Sequence, residues 1–194
     1  MYDVYPPMFP EFIWEEFFWV TSAKLDSWDG FQIREGPYGA ISGDGMSDGL
    51  VHIVLIDDER DEGSVTEQEL IPIKWVIKNE KNIHDSFINK LLEDYSNIRE
   101  EVLGWASEDE ANELLPPLDS IKEIKKLCGV VNINVYPHNK LSKPLIGVEL
   151  GCTWEEEHGA GVVLHGDRVL KRGVADTAIF LRDAVELVIK TKEA

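Results

Sequence analysis

Two spacings of apolar residues alternate along the chain, and each switch between them marks a change of element. Glu11–Thr21, EFIWEEFFWVT, is aromatic and β-branched and reads as a strand. Gly30–Arg34 reads as a second strand, with Phe31 and Ile33 on one side. The five glycines between Gly36 and Gly49 predict a long turn or loop. Leu50–Ile56 follows as a buried strand in which only His52 is polar.

The period then changes. Thr66 with Glu69 three positions on forms a capping-box pattern, so a helix starts there. Pro72 falls inside it, which predicts a kink or a later start. Ile83, Phe87, Leu91, Tyr95, Ile98 and Val102 recur at helical spacing, and Gly104 ends that second helix. Glu108–Pro117 reads as an acidic connection, and a short helix capped by Asp119 turns Ile121, Ile124 and Leu127 inward and ends at Gly129.

Strand spacing returns at Val131, Ile133 and Val135, which alternate with Asn132 and Asn134. Leu145–Leu150 is apolar with one interruption, Glu149. Gly151, Gly159 and Gly161 predict a bend before the next strand, Val162–His165. Gly166-Asp167 reads as a two-residue turn into Arg168–Lys171. Asp176 is expected to cap a last helix that buries Phe180, Ala184, Leu187 and Val188. Strand runs joined by hairpins around clustered helices predict an α+β fold. Its parts are a β-rich N-terminal portion (1–63) and a portion (64–194) holding the helical pair, an antiparallel meander and a C-terminal helix.

Composition narrows the function classes. The chain is 43% hydrophobic and 29% charged, the balance of a soluble globular protein. Its apolar runs are too short to span a bilayer. The first Lys is Lys24, so no ordinary secretory leader is expected, and Cys128 and Cys152 are expected to stay reduced in a cytoplasm.

The net charge of −18 is unevenly placed. Residues 1–63 hold 14 acids and 3 bases, residues 64–118 hold 12 and 5, and residues 119–194 hold 11 of each. Nucleic acid is an unsuitable partner for so acidic a surface, and anionic lipid is repelled as well. A basic protein would be attracted. The candidate contacts are Asp57-Asp58-Glu59 with Asp61-Glu62, and Glu108-Asp109-Glu110. Solubility alone is the plainer reading of the same charge.

Candidate chemistry concentrates in LGCTWEEEHGAG, where Gly151, Cys152, Trp154, Glu155, Glu156, Glu157, His158, Gly159 and Gly161 crowd into one corner. The carboxylates and His158 are ligand types, with His138, His165 or Asp176 available to complete a shell. The spacing matches no established ligand motif, so no metal or cofactor is expected. Cys152 is a candidate nucleophile with His158 or His138 as base, although the surrounding carboxylates oppose a thiolate. Trp154 fits a core plug better than an exposed platform. The Gly-x-Gly at 159–161 lacks the strand-loop-helix setting of a phosphate loop. His52 reads as a hydrogen-bonded core or edge histidine, and His84 as a surface residue.

The segment from KEIKKLCGVVNI through LGCTWEEEHGAGVVLHGDRVLKRG resembles the C-terminal half of an uncharacterised bacterial domain family. That family carries a Gly-Cys-x-Trp-acidic-Glu-Glu-His-Gly-x-Gly motif. The resemblance implies no known activity. Neighbouring polymorphic-toxin genes in some members would imply an immunity role. Two functions stand open: a non-catalytic acidic interaction protein, and a small hydrolase or metal-dependent enzyme using Glu155–His158.

Overall fold

The computed structural model describes residues 11–15, 17–56, 63–118, 121–137 and 141–192. The fold is α+β, built on one mixed, mostly antiparallel sheet. Its seven strands among the described residues are β1 (Ile13–Glu15), β2 (Phe18–Glu35), β3 (Ile41–Leu55), β4 (Cys128–Tyr136), β5 (Leu145–Cys152), β6 (Glu155–His165) and β7 (Arg168–Gly173). They lie side by side in sequence order. Every neighbouring pair is antiparallel except β3 and β4, where Val54 pairs with Asn134. A parallel pair requires a crossover. The helices α1 (Glu67–Lys78), α2 (Glu80–Leu103), α3 (Glu108–Leu114) and α4 (Ile121–Ile124) make it.

Several elements differ from the sequence reading. The loop expected over Gly36–Gly49 is a single 3-10 turn, Pro37–Gly39, followed by most of β3. Its glycines mark bulges, not a loop: the β2–β3 register shifts repeatedly, and Gly45 and Gly49 hold φ near +90°. The first predicted strand divides into β1 and the start of β2, and the second is a later stretch of β2. Helix α1 begins at Glu67 with the Thr66–Glu69 capping box formed, and it runs through Pro72. The acidic connection after Gly104 contains α3, capped by the Ser107 side chain. Leu50 is exposed, so β3 is not buried on both faces over its whole predicted length. The last helix is two, α5 (Asp176–Ile179) and α6 (Arg182–Lys192), separated by Phe180, which is exposed, as is Leu187. Ala175, not Asp176, holds the cap position of α5. The Asp119 cap, His138 and Asp57–Glu62 lie outside the described residues.

Side-chain alternation gives the sheet two unlike faces. Ala23, Leu25, Val51, Ile53, Leu55, Ile133, Val135, Val148, Leu150, Val162 and Leu164 point to one face. There they meet Leu70, Ile73, Phe87, Leu91 and Ile98 of α1 and α2 in the main core. On the opposite face a smaller cluster joins Leu145 and Val163 to Leu181, Ala184 and Val188. Helices α5 and α6 therefore cover the β5–β6 part of that face. The part over β2–β4 is left as a cavity.

Candidate functional site

The glycines of the motif serve packing. A Cβ on Gly151 would strike the Gly39 backbone, and one on Gly159 would meet Leu150 and Tyr38 carbonyl oxygens. Gly161 leaves room for Ala178 and the Val174 carbonyl, so α5 can lie on the sheet. The β5–β6 turn is Thr153-Trp154, and Trp154 is buried in the main core. Glu155–His158 are consequently the opening residues of β6 and not a connection between strands.

The corner does not assemble a reactive set. Glu156, Glu157 and His158 are exposed. His158 donates its backbone N–H to Glu155 Oε1 (3.2 Å), and its Nδ1 lies 3.1 Å from the same oxygen. His165 lies at the far end of β6, beside Leu145 and Arg168. Among the described residues no group of three His, Cys, Asp or Glu side chains is placed to hold a metal ion.

Cys152 is buried, and burial pushes its thiol up to about 12, far from a thiolate at neutral pH. Its register partner is Cys128, so two cysteines distant in sequence face each other across β4 and β5 as free thiols. Burial raises the Cys128 thiol as well.

What holds this corner is a residue the sequence reading passed over. The side chain of Arg34 is fully buried, and it donates to the carbonyls of Gly39 (2.7 Å) and Cys152 (2.8 Å) and to Ser42 Oγ (2.8 Å). Its charge lies near Cys152 and favours the thiolate, but desolvation outweighs it.

The acidic candidates Glu108, Asp109 and Glu110 are exposed in the first turn of α3, where carboxylates also suit the helix dipole. Arg99 of α2 donates to the Ala111 and Leu115 carbonyls and to Asn112 Oδ1, which fixes α3 against α2. Between the two helices Trp105 is 64% exposed. It borders a cavity of about 330 Å³ that is also lined by Glu101, Trp154, Gly159, Arg172 and Val174. Motif residues thus reach this surface from behind. The exposed Trp105 had no signature in the sequence.

A second concavity, of about 670 Å³, occupies the open face of the sheet. Its polar groups come from adjacent strands. His52 of β3 pairs in register with Ser22 of β2, and its Nδ1 is 3.0 Å from Ser22 Oγ. Asn132 of β4 lies opposite Glu149 of β5 and donates an amide hydrogen to Oε2 (3.0 Å). Asn134, fully buried, donates to the Ala178 carbonyl (3.1 Å). Glu149 is only 6% exposed, and burial raises its pKa above the ordinary glutamate value while Asn132 and Asn134 oppose the rise. Gly161 is its register partner on β6. Val20, Val54, Phe17 and Phe18 supply apolar walls.

In the sequence Glu149 is only an interruption of an apolar run, and the two asparagines only the polar half of an alternating strand. Only the register of β3, β4 and β5 brings them into one line.

The model of a domain of unknown function (DUF6985) matches residues 37–180, and the chain belongs to that family. No curated protein and no solved structure matches it. No helix among the described residues is long and apolar enough to cross a membrane.

Proposed function

We propose that this DUF6985 protein is a non-catalytic interaction module of the cytoplasm that recognises a basic protein through the α2–α3 surface. The observation that carries the reading is Trp105, exposed between the acids of two helices that Arg99 ties together. Glu100 and Glu101 precede Trp105 in the chain, and Glu108, Asp109 and Glu110 follow it, all exposed. Large aromatic side chains anchor protein interfaces, and surrounding charge accelerates encounter with an oppositely charged partner. The cavity beside Trp105 offers a recess for one partner side chain. The net charge of −18 draws a basic surface from a distance. A basic toxin that the protein neutralises is the first partner to test, in keeping with the immunity role that the family resemblance implies.

The hydrolase reading of the Glu155–His158 corner is less favoured. Its thiol is buried and protonated, and His158 is occupied by Glu155 at the surface.

The test uses the intact chain as bait in an extract of the source cell, followed by stopped-flow association with the recovered partner. A basic protein should be retained at low salt, and Trp105→Ala should lower the affinity about tenfold or more, the scale of an interface anchor. Replacing Glu108, Asp109 and Glu110 with Lys should slow association severalfold and leave the melting temperature nearly unchanged. Retention of no basic protein, or of one indifferent to both variants, removes the proposal.

A further inference from the structure

We propose that the cavity on the open face of the sheet binds a small organic cation, an amine or amidine carried on an apolar body. The size suits a small molecule, since about 670 Å³ falls within the range of ligand pockets. The chemistry of the lining is one-sided. Among the described residues that border it, Glu15 and Glu149 are acids, His52 has its Nδ1 3.0 Å from Ser22 Oγ, and no Lys or Arg is present. The walls are aromatic and aliphatic, which suits a hydrocarbon body in contact with Phe18 and Val54.

Glu149 gives the site its direction. A carboxyl is costly to bury without a charge partner. Among the described residues Glu149 receives a hydrogen bond from Asn132 but makes no ion pair, while the Asp176 carboxylate nearby adds to its difficulty. An entering ammonium or amidinium supplies the missing counter-charge in a desolvated setting, where such a pair is stronger than at the surface. The carboxyl is also held still. Asn132 fixes one oxygen, and Gly161, its partner across β5–β6, lets α5 close over that end. This site lies on the opposite face of the sheet from α2, so it is separate from the Trp105 surface.

Binding of phenethylammonium and benzamidinium to the full chain is measured by calorimetry and by backbone amide shifts, with 2-phenylethanol and phenylacetate as neutral and anionic counterparts. At least one cation should bind saturably with a Kd of about 1 mM or tighter. It should bind about tenfold better than the alcohol, with phenylacetate weakest. Glu149→Gln should abolish the preference for the cation, and Val54→Trp should block the cavity with Glu149 intact. Trp105→Ala should change nothing. Each variant is first checked by its thermal melt, and a variant that does not fold is replaced by Glu149→Ala or Val20→Trp. The proposal fails if neither cation binds, if alcohol and cation bind equally, or if folded Glu149 variants keep the preference. It also fails if a lysine-rich peptide binds this face while both small cations do not.

Discussion

Gly151 packs its backbone against Gly39, so closely that a Cβ on Gly151 would stand 2.7 Å from the Gly39 Cα. The contact is between β5 and the 3-10 turn, two segments more than a hundred residues apart. Neither partner can retreat, because Arg34 donates to the Gly39 carbonyl from one side and the Cys152 carbonyl from the other. Gly151→Ala should therefore destabilise by about 3 kcal/mol, the upper end of overpacking costs. Gly45→Ala is the comparison. It meets open space, and at φ 90° it carries only left-handed strain of about 1–2 kcal/mol. Urea melts of the two variants should fall in that order.

The same geometry reassigns the scaffold role within the motif. Polar side chains at a bend can pin it by bonding backbone N–H groups, yet Glu157 and His158 are both exposed and the buried pin is Arg34. Replacing Glu157 or His158 with Ala should change stability by no more than about 0.5 kcal/mol, as for ordinary surface substitutions. Arg34→Ala should cost at least about 2 kcal/mol, because it leaves two carbonyls without their donor. Equal losses for Arg34→Ala and His158→Ala in urea would return the bend to the side chains of the motif.

Local signals were legible and lateral ones were not. The capping box at Thr66–Glu69 and the helical repeat from Ile83 to Val102 appear in the sequence because each depends on residues three or four apart. Gly166-Asp167 was equally plain as a tight turn. The bulged β3 was misread, since glycines that let a strand shift register have the same composition as a loop. His84 shows the other failure. It stands near a helix start among polar residues, yet Trp28 and Phe31 of β2 bury it from fifty residues away. The open-face cavity was hidden for the same reason, because Asn132 and Glu149 meet only through strand register. By contrast, the α+β class followed from the order of periods alone.

His84 should make stability depend on pH. Among the described residues its buried Nε2 has no hydrogen-bond partner, and its ring lies edge-on to Trp28, 5.5 Å between centroids. Burial lowers its pKa below 6.5, against the opposing hydrogen bond to Asp85 and the Glu80 charge, with the Lys125 charge adding to the fall. The folded state thus disfavours the imidazolium that the unfolded chain accepts freely. This contribution is full above pH 6.5 and is lost as pH falls through the folded pKa. Urea melts at intervals between about pH 5 and 7.5 should show stability falling on the acid side. His84→Leu should flatten that slope. A slope unchanged in a folded His84→Leu protein would place its origin elsewhere.

Glu149 should act in the opposite sense. Desolvation raises its pKa above 4.5, with the Asp176 carboxylate contributing and the Asn132 and Asn134 hydrogen bonds opposing. The folded state therefore holds the proton more tightly than the unfolded chain. Its favourable contribution is complete below pH 4.5 and disappears as pH rises through the folded pKa. Glu149→Gln keeps the shape and an acceptor for Asn132 but removes the ionisation. The variant should match the parent at low pH and exceed it in stability at neutral pH. The two stability curves should separate as pH rises above 4.5, the value at which the unfolded carboxyl begins to lose its proton. An organic cation bound at the cavity should reverse the order, since it stabilises only the chain that can present a carboxylate. Melts of both proteins at neutral pH, with and without phenethylammonium, decide the matter. If Glu149→Gln is the less stable protein at neutral pH without ligand, the buried carboxyl is supported by its hydrogen bonds more than burial penalises it.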